Sequence, residues 1–203
     1  MDRLQQQMAF IIELDKLKSI LRRTKPVGAT RYENSAEHSW HLAMMVMVLA
    51  EYADEPVDVG RVMQIVLVHD IVEIDADDTL VYDEVARRNK QTIEAAAAQR
   101  IFGLLPADQR EHFLALWQEY ETRTTPEGRF AYALDRLLPL SQNYHNGGQT
   151  WQEHGIRAEQ VRRINAPIGQ GSQRLWQQAQ AFIDDAVRQG FLPDVNGTGN
   201  DGG

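Results

Sequence analysis

The sequence predicts an all-α fold. Apolar residues recur at three- and four-residue spacing in successive segments, no segment sustains the alternation of a half-buried strand, and Asn, Thr and Pro stand where helices would start. At 203 residues the chain is long enough for one well-buried core and short for two. A single domain over 1–192 is expected, with Asn196-Gly-Thr-Gly-Asn-Asp-Gly-Gly203 inside a flexible tail over 193–203.

Leu4, Met8, Ile11, Leu14, Leu17 and Leu21 give a first amphipathic helix, closed by Pro26 and Gly28. A second is expected over Glu37–Ala53. Asn34 and Glu37 have capping-box spacing, the amide oxygen serving an orphan N–H and the carboxylate reaching back, so His38 falls in the first turns, near the positive end of the helix dipole. Residues 58–74 read as an apolar central segment that Asp75-Ala-Asp-Asp-Thr79 then breaks. The next helix is expected over Asp83–Phe102 with Gly103 as its cap. Pro106–Tyr120 carries Phe113, Leu116, Trp117 and Tyr120 at helical spacing. Thr125-Pro126-Glu127 opens a helix that holds Phe130, Leu134, Leu137 and Leu138, with Asp135 among them. Gly147-Gly148 marks a loop, and Leu175, Ala179, Phe182, Ile183 and Val187 form a last helix ending at Gly190. Trp and Phe residues at helical spacing are expected in the core.

A net charge of −8 without a Lys/Arg run argues against nucleic acid and anionic membranes as partners. An anionic substrate would need a locally positive pocket. The chain has no cysteine, which removes disulfides, thiolate metal sites and thiol nucleophiles and fits a reducing cytoplasm. No signal peptide or membrane span is read, the longest apolar run, Leu42–Ala50, being too short. Chemistry must therefore come from His, carboxylates, hydroxyls or a metal.

The most informative feature is the doublet His69-Asp70, embedded in Val-Met-Gln-Ile-Val-Leu-Val and Ile-Val. Burying an ionised Asp there is costly unless a cation or dense hydrogen bonding compensates. A bound metal is the simplest compensation. His38, His69, Asp70 and Asp135 are metal-capable side chains on three separate helices, and two imidazoles with two carboxylates suit Mn, Co, Fe, Ni or Zn. Such an ion would acidify water and neutralise a phosphoryl oxygen. Glu73, at i+4 from His69 and i+3 from Asp70, is placed to accept a proton or orient a water. His41 is read as structural, His112, His145 and His154 as surface residues. Of Arg87-Arg88-Asn89-Lys90, Lys90 is the first to test for a phosphate contact.

These residues resemble the HD-domain metal-dependent phosphohydrolases, whose signature is H…HD…D. The match is Ala36-Glu-His-Ser39, Val68-His-Asp-Ile-Val-Glu73 and Ala133-Leu-Asp-Arg136. The chain is most similar to the small 5′-deoxynucleotidase branch, over residues 4–192. The resemblance implies an HD-domain helical bundle, often a homodimer, with His38, His69, Asp70 and Asp135 on a divalent ion, Mg included. It implies hydrolysis of nucleoside 5′-monophosphates to nucleoside and phosphate. Asp78 matches an acid of the branch nine residues after the second His and would act on the leaving oxygen and the substrate; Asp77 stands where the branch has Gly. A phosphate-contacting Arg of the branch matches Arg23, with Arg22 as a one-residue slip, and Thr24 stands where the branch has an aromatic. Two alternatives stay open: a dNTP, cyclic or signalling nucleotide or non-nucleotide phosphate as substrate, and a metal- or nucleotide-binding protein without turnover.

Overall fold

The computed structural model describes residues 2–77 and 84–194, with side chains described throughout those spans except at 84–89. Helix α1 is Arg3–Leu14, started by a capping box between Asp2 and Gln5. It gives way to a 3-10 turn, Asp15–Ser19, and does not continue to Leu21. Phe10 and Leu17 enter the core while Leu4, Met8 and Ile11 stay exposed, so the periodic stripe is only partly the buried face. Residues 20–24 then run extended against 33–35. Arg22 N–H donates to the Glu33 carbonyl at 2.8 Å, Glu33 N–H to Thr24 at 2.9 Å and Ser35 N–H to Ile20 at 3.0 Å. That short antiparallel pairing holds Arg22 and Glu33 at the entrance to the second helix.

Helix α2 is Ser35–Leu49, and both arms of its capping box form: Glu37 N–H to Asn34 Oδ1 at 2.9 Å and Asn34 N–H to Glu37 Oε1 at 2.8 Å. It buries His38, Ser39, Leu42, Ala43 and Val46. The opposite face is unusually apolar: Trp40 is 63% exposed, against the expectation of a core Trp, and Met44, Met47 and Val48 are exposed with it.

The apolar segment 58–74 is not one helix. Helix α3 is Val59–Val68, capped by Asp58, and α4 is Glu73–Ala76, with four turn residues between them. His69 N–H still bonds Ile65 four residues back, but Ile71, Glu73 and Ile74 bond Val68, Asp70 and Ile71, three residues back. The chain tightens into a 3-10-like turn at the doublet, where positions three apart eclipse. Asp70 and Glu73 therefore lie on one side. Ile71 and Val72 remain buried through the break, so hydropathy does not reveal it.

Asp77, just beyond α4, has φ 57° and ψ 158°, a region that is essentially glycine's and costs other residues about 1–3 kcal/mol. Asp77→Gly is expected to stabilise the protein by about 1 kcal/mol, roughly 2–4 °C in Tm for a chain of this size. An unchanged or lower denaturant midpoint would show that the strain is offset in place.

Helix α5 is Glu84–Phe102, α6 is Ala107–Thr122 and α7 is Pro126–His145. Thr125 caps α7 by accepting from Gly128 N–H at 3.0 Å, with Pro126 in its first turn. Helix α8 (Gln149–Glu153) is too short to display a helical period, whereas α9 (Ala158–Asn165) buries Ala158, Val161 and Asn165 at three- and four-residue spacing, a signal the sequence reading did not use. A 3-10 turn, Ala166–Gln170, leads to α10, Gln173–Arg188. Helix α7 is central: α3, α6, α10 and the 166–170 turn pack on it, and α2 packs on both α3 and α7. Its Phe130, Leu134, Leu137 and Leu138 are buried, which fixes the height of Asp135 in the core.

No described helix is long and apolar enough to cross a membrane. Of the tail expected at 193–203, residues 195–203 lie outside the described residues, as does Asp78.

Candidate metal centre

Three elements converge beneath the residue 20–35 pairing. His38 comes from the first turns of α2, His69 and Asp70 from the turn after α3, and Asp135 from the middle of α7. All four are buried. One ligand atom each of His38, His69 and Asp135 lies within 4.8 Å of the other two. Asp70 flanks this trio, its Oδ1 3.0 Å from His69 Nε2 and its Oδ2 4.0 Å from His38 Nε2.

Each imidazole is oriented from behind. His69 Nδ1 lies 2.9 Å from the Val66 carbonyl, an acceptor only, so Nδ1 carries a proton and Nε2 is the nitrogen turned to the cluster. His38 Nδ1 lies 3.1 Å from Glu33 Oε2, and its Nε2 lies 3.0 Å from Asp135 Oδ1. Glu33 is itself held by Gln142 Nε2, which donates to Oε1 at 2.8 Å. A carboxylate or carbonyl behind each metal-facing imidazole is the arrangement that fixes tautomer and raises ligand basicity.

The carboxylates are equally constrained. Tyr120 Oη and Arg136 Nη2 both donate to Asp135 Oδ2 at 2.6 Å, leaving Oδ1 toward the imidazoles. Burial alone would raise the Asp135 carboxyl, but the Arg136 guanidinium and the two imidazoles outweigh it and hold the group well below the ordinary carboxylate range. Burial acts the same way on Asp70, and His69 and Arg22 overcome it to lower that carboxyl too. Burial and the charge of Arg22 work to lower His38, yet its bonds to Asp135 and Glu33 raise it on balance. The cluster thus favours ionised carboxylates and positive charge between them.

These residues fit a divalent ion. The buried His69 Nε2 makes no hydrogen bond among the described residues although it faces two carboxylates, a position that a cation between them would satisfy. Asp70 is also engaged by Arg22, whose Nη1 donates to Oδ2 at 2.5 Å. Ser35 Oγ donates to Glu73 Oε2 at 2.7 Å, orienting Glu73 beside the cluster.

The centre opens into a cavity of ≈ 230 Å³, close to the lower size of small-ligand sites. His69, Asp70, Glu73 and Asp135 line it, and so do both Arg22 and Arg23. Arg22 is buried among the carboxylates, whereas Arg23 is exposed at the wall. Lys90 also reaches it, paired with Glu94 at 3.1 Å. His41, His112, His145 and His154 are exposed and line no part of it.

Sequence reasoning missed the supporting residues Glu33, Ser35, Tyr120, Arg136 and Gln142. Two carried a local signal. Arg136 is a cation beside Asp135 in an apolar helix, and Glu33 lies five residues before His38. Tyr120 had none, since at helical spacing it reads as core.

A 5′-deoxynucleotidase HDDC2 from Homo sapiens is 33% identical over 112 residues, which are 55% of this chain and 53% of the human protein. The chain thus spans about half the length of the curated relatives it matches. A predicted metal-dependent phosphohydrolase from Magnetospirillum magnetotacticum MS-1 has a TM-score of 0.89 at 52% identity, covering 94% of this chain and 98% of that one. A conserved hypothetical protein from Pyrococcus furiosus, at 23% identity and a TM-score of 0.62 over 89% of this chain and 99% of that one, shares the fold. The model of a family described as HD domain matches residues 14–176, a span that includes both imidazoles and both aspartates in order. With that much of its length matched, the chain belongs to the HD domain family.

Proposed function

We propose that the protein is a phosphomonoesterase that hydrolyses nucleoside 5′-monophosphates, deoxynucleotides among them, to nucleoside and phosphate. The observation that carries this reading is the meeting, in one cavity, of an oriented imidazole–carboxylate cluster with the guanidinium groups of Arg22 and Arg23. Relatives named 5′-deoxynucleotidase support it.

His38, His69, Asp70 and Asp135 would hold a divalent ion, drawn from Mn, Co, Fe, Ni, Zn and Mg. Held there, it supplies Lewis-acid charge at the phosphate and makes water acidic near neutral pH. Glu73, fixed by Ser35, orients the attacking water and takes its proton as the new bond to phosphorus forms. Arg23 holds the phosphate from the cavity wall. Asp78 protonates the 5′-oxygen as the ester bond breaks. The protein is also proposed to work as a homodimer in the cytoplasm, where nucleotides are metabolised; the dimer is supported by the exposed Trp40, Met44, Met47 and Val48 on α2.

Chelator-stripped protein is expected to lose phosphate release from deoxynucleoside monophosphates and regain it with Mn or Co, as measured by a phosphate assay across mono- and triphosphates. Pyrophosphate release would reassign the enzyme to triphosphates. Nucleotide binding without product in metal-replete protein would make it a binding protein instead.

A further inference from the structure

The cavity is chemically two-ended. One stripe of α7 lines it: Tyr132, Asp135, Arg136, Pro139, Leu140 and Asn143. At 1.5 Å per residue, Asn143 lies about 12 Å further along the helix than Asp135, a separation comparable to the reach of a nucleoside from its phosphate to the far edge of its base. Around Tyr132 the wall is charged, with Lys90, Glu94, Glu121 and Arg123. Asn143 shares the lining with the uncharged polar side chains Thr24, Thr150 and Asn165, and Arg23 stands beside Thr24 and Thr150.

The polar group around Asn143 is built rather than incidental. Asn143 and Asn165 are each about nineteen-twentieths buried, 6% and 5% exposed. Asn143 Nδ2 donates to the Pro139 carbonyl at 3.0 Å and Asn165 Nδ2 to the Val161 carbonyl at 2.8 Å, both one turn back on their own helices. Those bonds fix the two amides. Among the described residues neither amide oxygen accepts a hydrogen bond, although both residues line the cavity. Both oxygens are therefore free to accept from a molecule in the cavity. Thr150 Oγ1 donates to the Arg23 carbonyl at 3.4 Å, tying this end to the arginine pair. Pro139 and Leu140 supply an apolar wall between these groups and the metal centre.

We propose that Asn143 and Asn165, with Thr24 and Thr150 beside them, form the specificity subsite for the leaving part of the ester. They select an uncharged group that presents N–H or O–H donors to two amide acceptors, as a nucleobase or a sugar does. The inference rests on the phosphomonoesterase reading and adds to it the residues that choose the organic half of the substrate.

The test compares deoxynucleoside monophosphates with p-nitrophenyl phosphate, an ester whose leaving group has no donor to give. In Asn143→Leu and in Asn165→Leu, the ratio of kcat/KM for nucleotide to that for p-nitrophenyl phosphate is expected to fall about tenfold, the worth of one well-made hydrogen bond. A ratio cancels any loss of folded enzyme, and the two residues stand on different helices, so either variant reports independently. An unchanged ratio in a folded variant overturns the subsite. Inhibition of p-nitrophenyl phosphate hydrolysis by free nucleosides separates this failure from that of the nucleotidase reading. Nucleosides that inhibit wild type and inhibit the variants about tenfold less well support the subsite even if nucleotides are not turned over. Nucleosides that fail to inhibit wild type overturn it.

Discussion

Asp135→Ala is expected to strip the protein of its metal and to lower phosphate release by more than about a hundredfold, because changes merely behind a ligand already cost about 10–100-fold. The same change should lower stability by about 3–5 kcal/mol, on the order of 10 °C in Tm. The reason lies in the number of groups that depend on this one carboxylate. Tyr120 Oη and the Arg136 guanidinium each donate to Oδ2 at 2.6 Å, and His38 Nε2 lies 3.0 Å from Oδ1. Alanine leaves a buried guanidinium, a buried phenol and a buried imidazole without their common acceptor. Asp135→Asn separates the two effects. Its amide keeps the volume and one acceptor, so most of the stability should remain while the charge that attracts a cation is lost. Metal stoichiometry and thermal unfolding, measured on the same samples, check both; an Asp135→Ala protein that still retains one equivalent of metal would remove Asp135 from the centre.

How much of this was legible in the sequence differs by residue. His69, Asp70 and Asp135 were recognisable because each is a polar side chain in apolar sequence, an anomaly that needs no knowledge of the fold, and His38 as a further metal-capable side chain near a helix start. The helices that carry them were legible from their starts, since α2 and α7 begin at side-chain caps, and α7 also shows a 3.6-residue period. The break at His69 was not legible. Ile71 and Val72 are buried whether the chain continues as a helix or tightens into a turn, so the apolar pattern is the same for both. Trp40 was misread because an apolar residue at helical spacing marks a covered face without saying what covers it. Helix α8, five residues long, has too few turns to display a period, whereas α9 has one in Ala158, Val161 and Asn165 and was overlooked because it is short and mostly polar. Hardest to see were the groups behind the ligands. Glu33 meets His38 only because residues 20–24 pair with 33–35, and Tyr120 meets Asp135 only because α6 crosses α7; both are consequences of packing.

Glu33→Gln tests whether those hidden groups matter to function. It is expected to weaken metal binding and lower turnover by about 10–100-fold, with a stability change near 1 kcal/mol. Glu33 stands between two donors: Gln142 Nε2 gives to Oε1 at 2.8 Å and His38 Nδ1 faces Oε2 at 3.1 Å. A glutamine has one acceptor oxygen and one amino group, so it satisfies one neighbour and turns an N–H toward the other. If the amino group faces His38, the imidazole is driven to place its proton on Nε2, the nitrogen that must offer its lone pair to the metal. If it faces Gln142, the imidazole keeps its partner but loses the negative charge that strengthens it as a ligand. Either way affinity falls while the fold persists. Glu37→Gln is the matched control, since that acid lies next to His38 in sequence but bonds Arg31 and caps α2, and glutamine serves in a capping box as well as glutamate does. Metal titration of both variants decides the matter: a Glu33→Gln protein that binds as wild type, or a Glu37→Gln protein as impaired, would show that His38 is positioned by the helix alone.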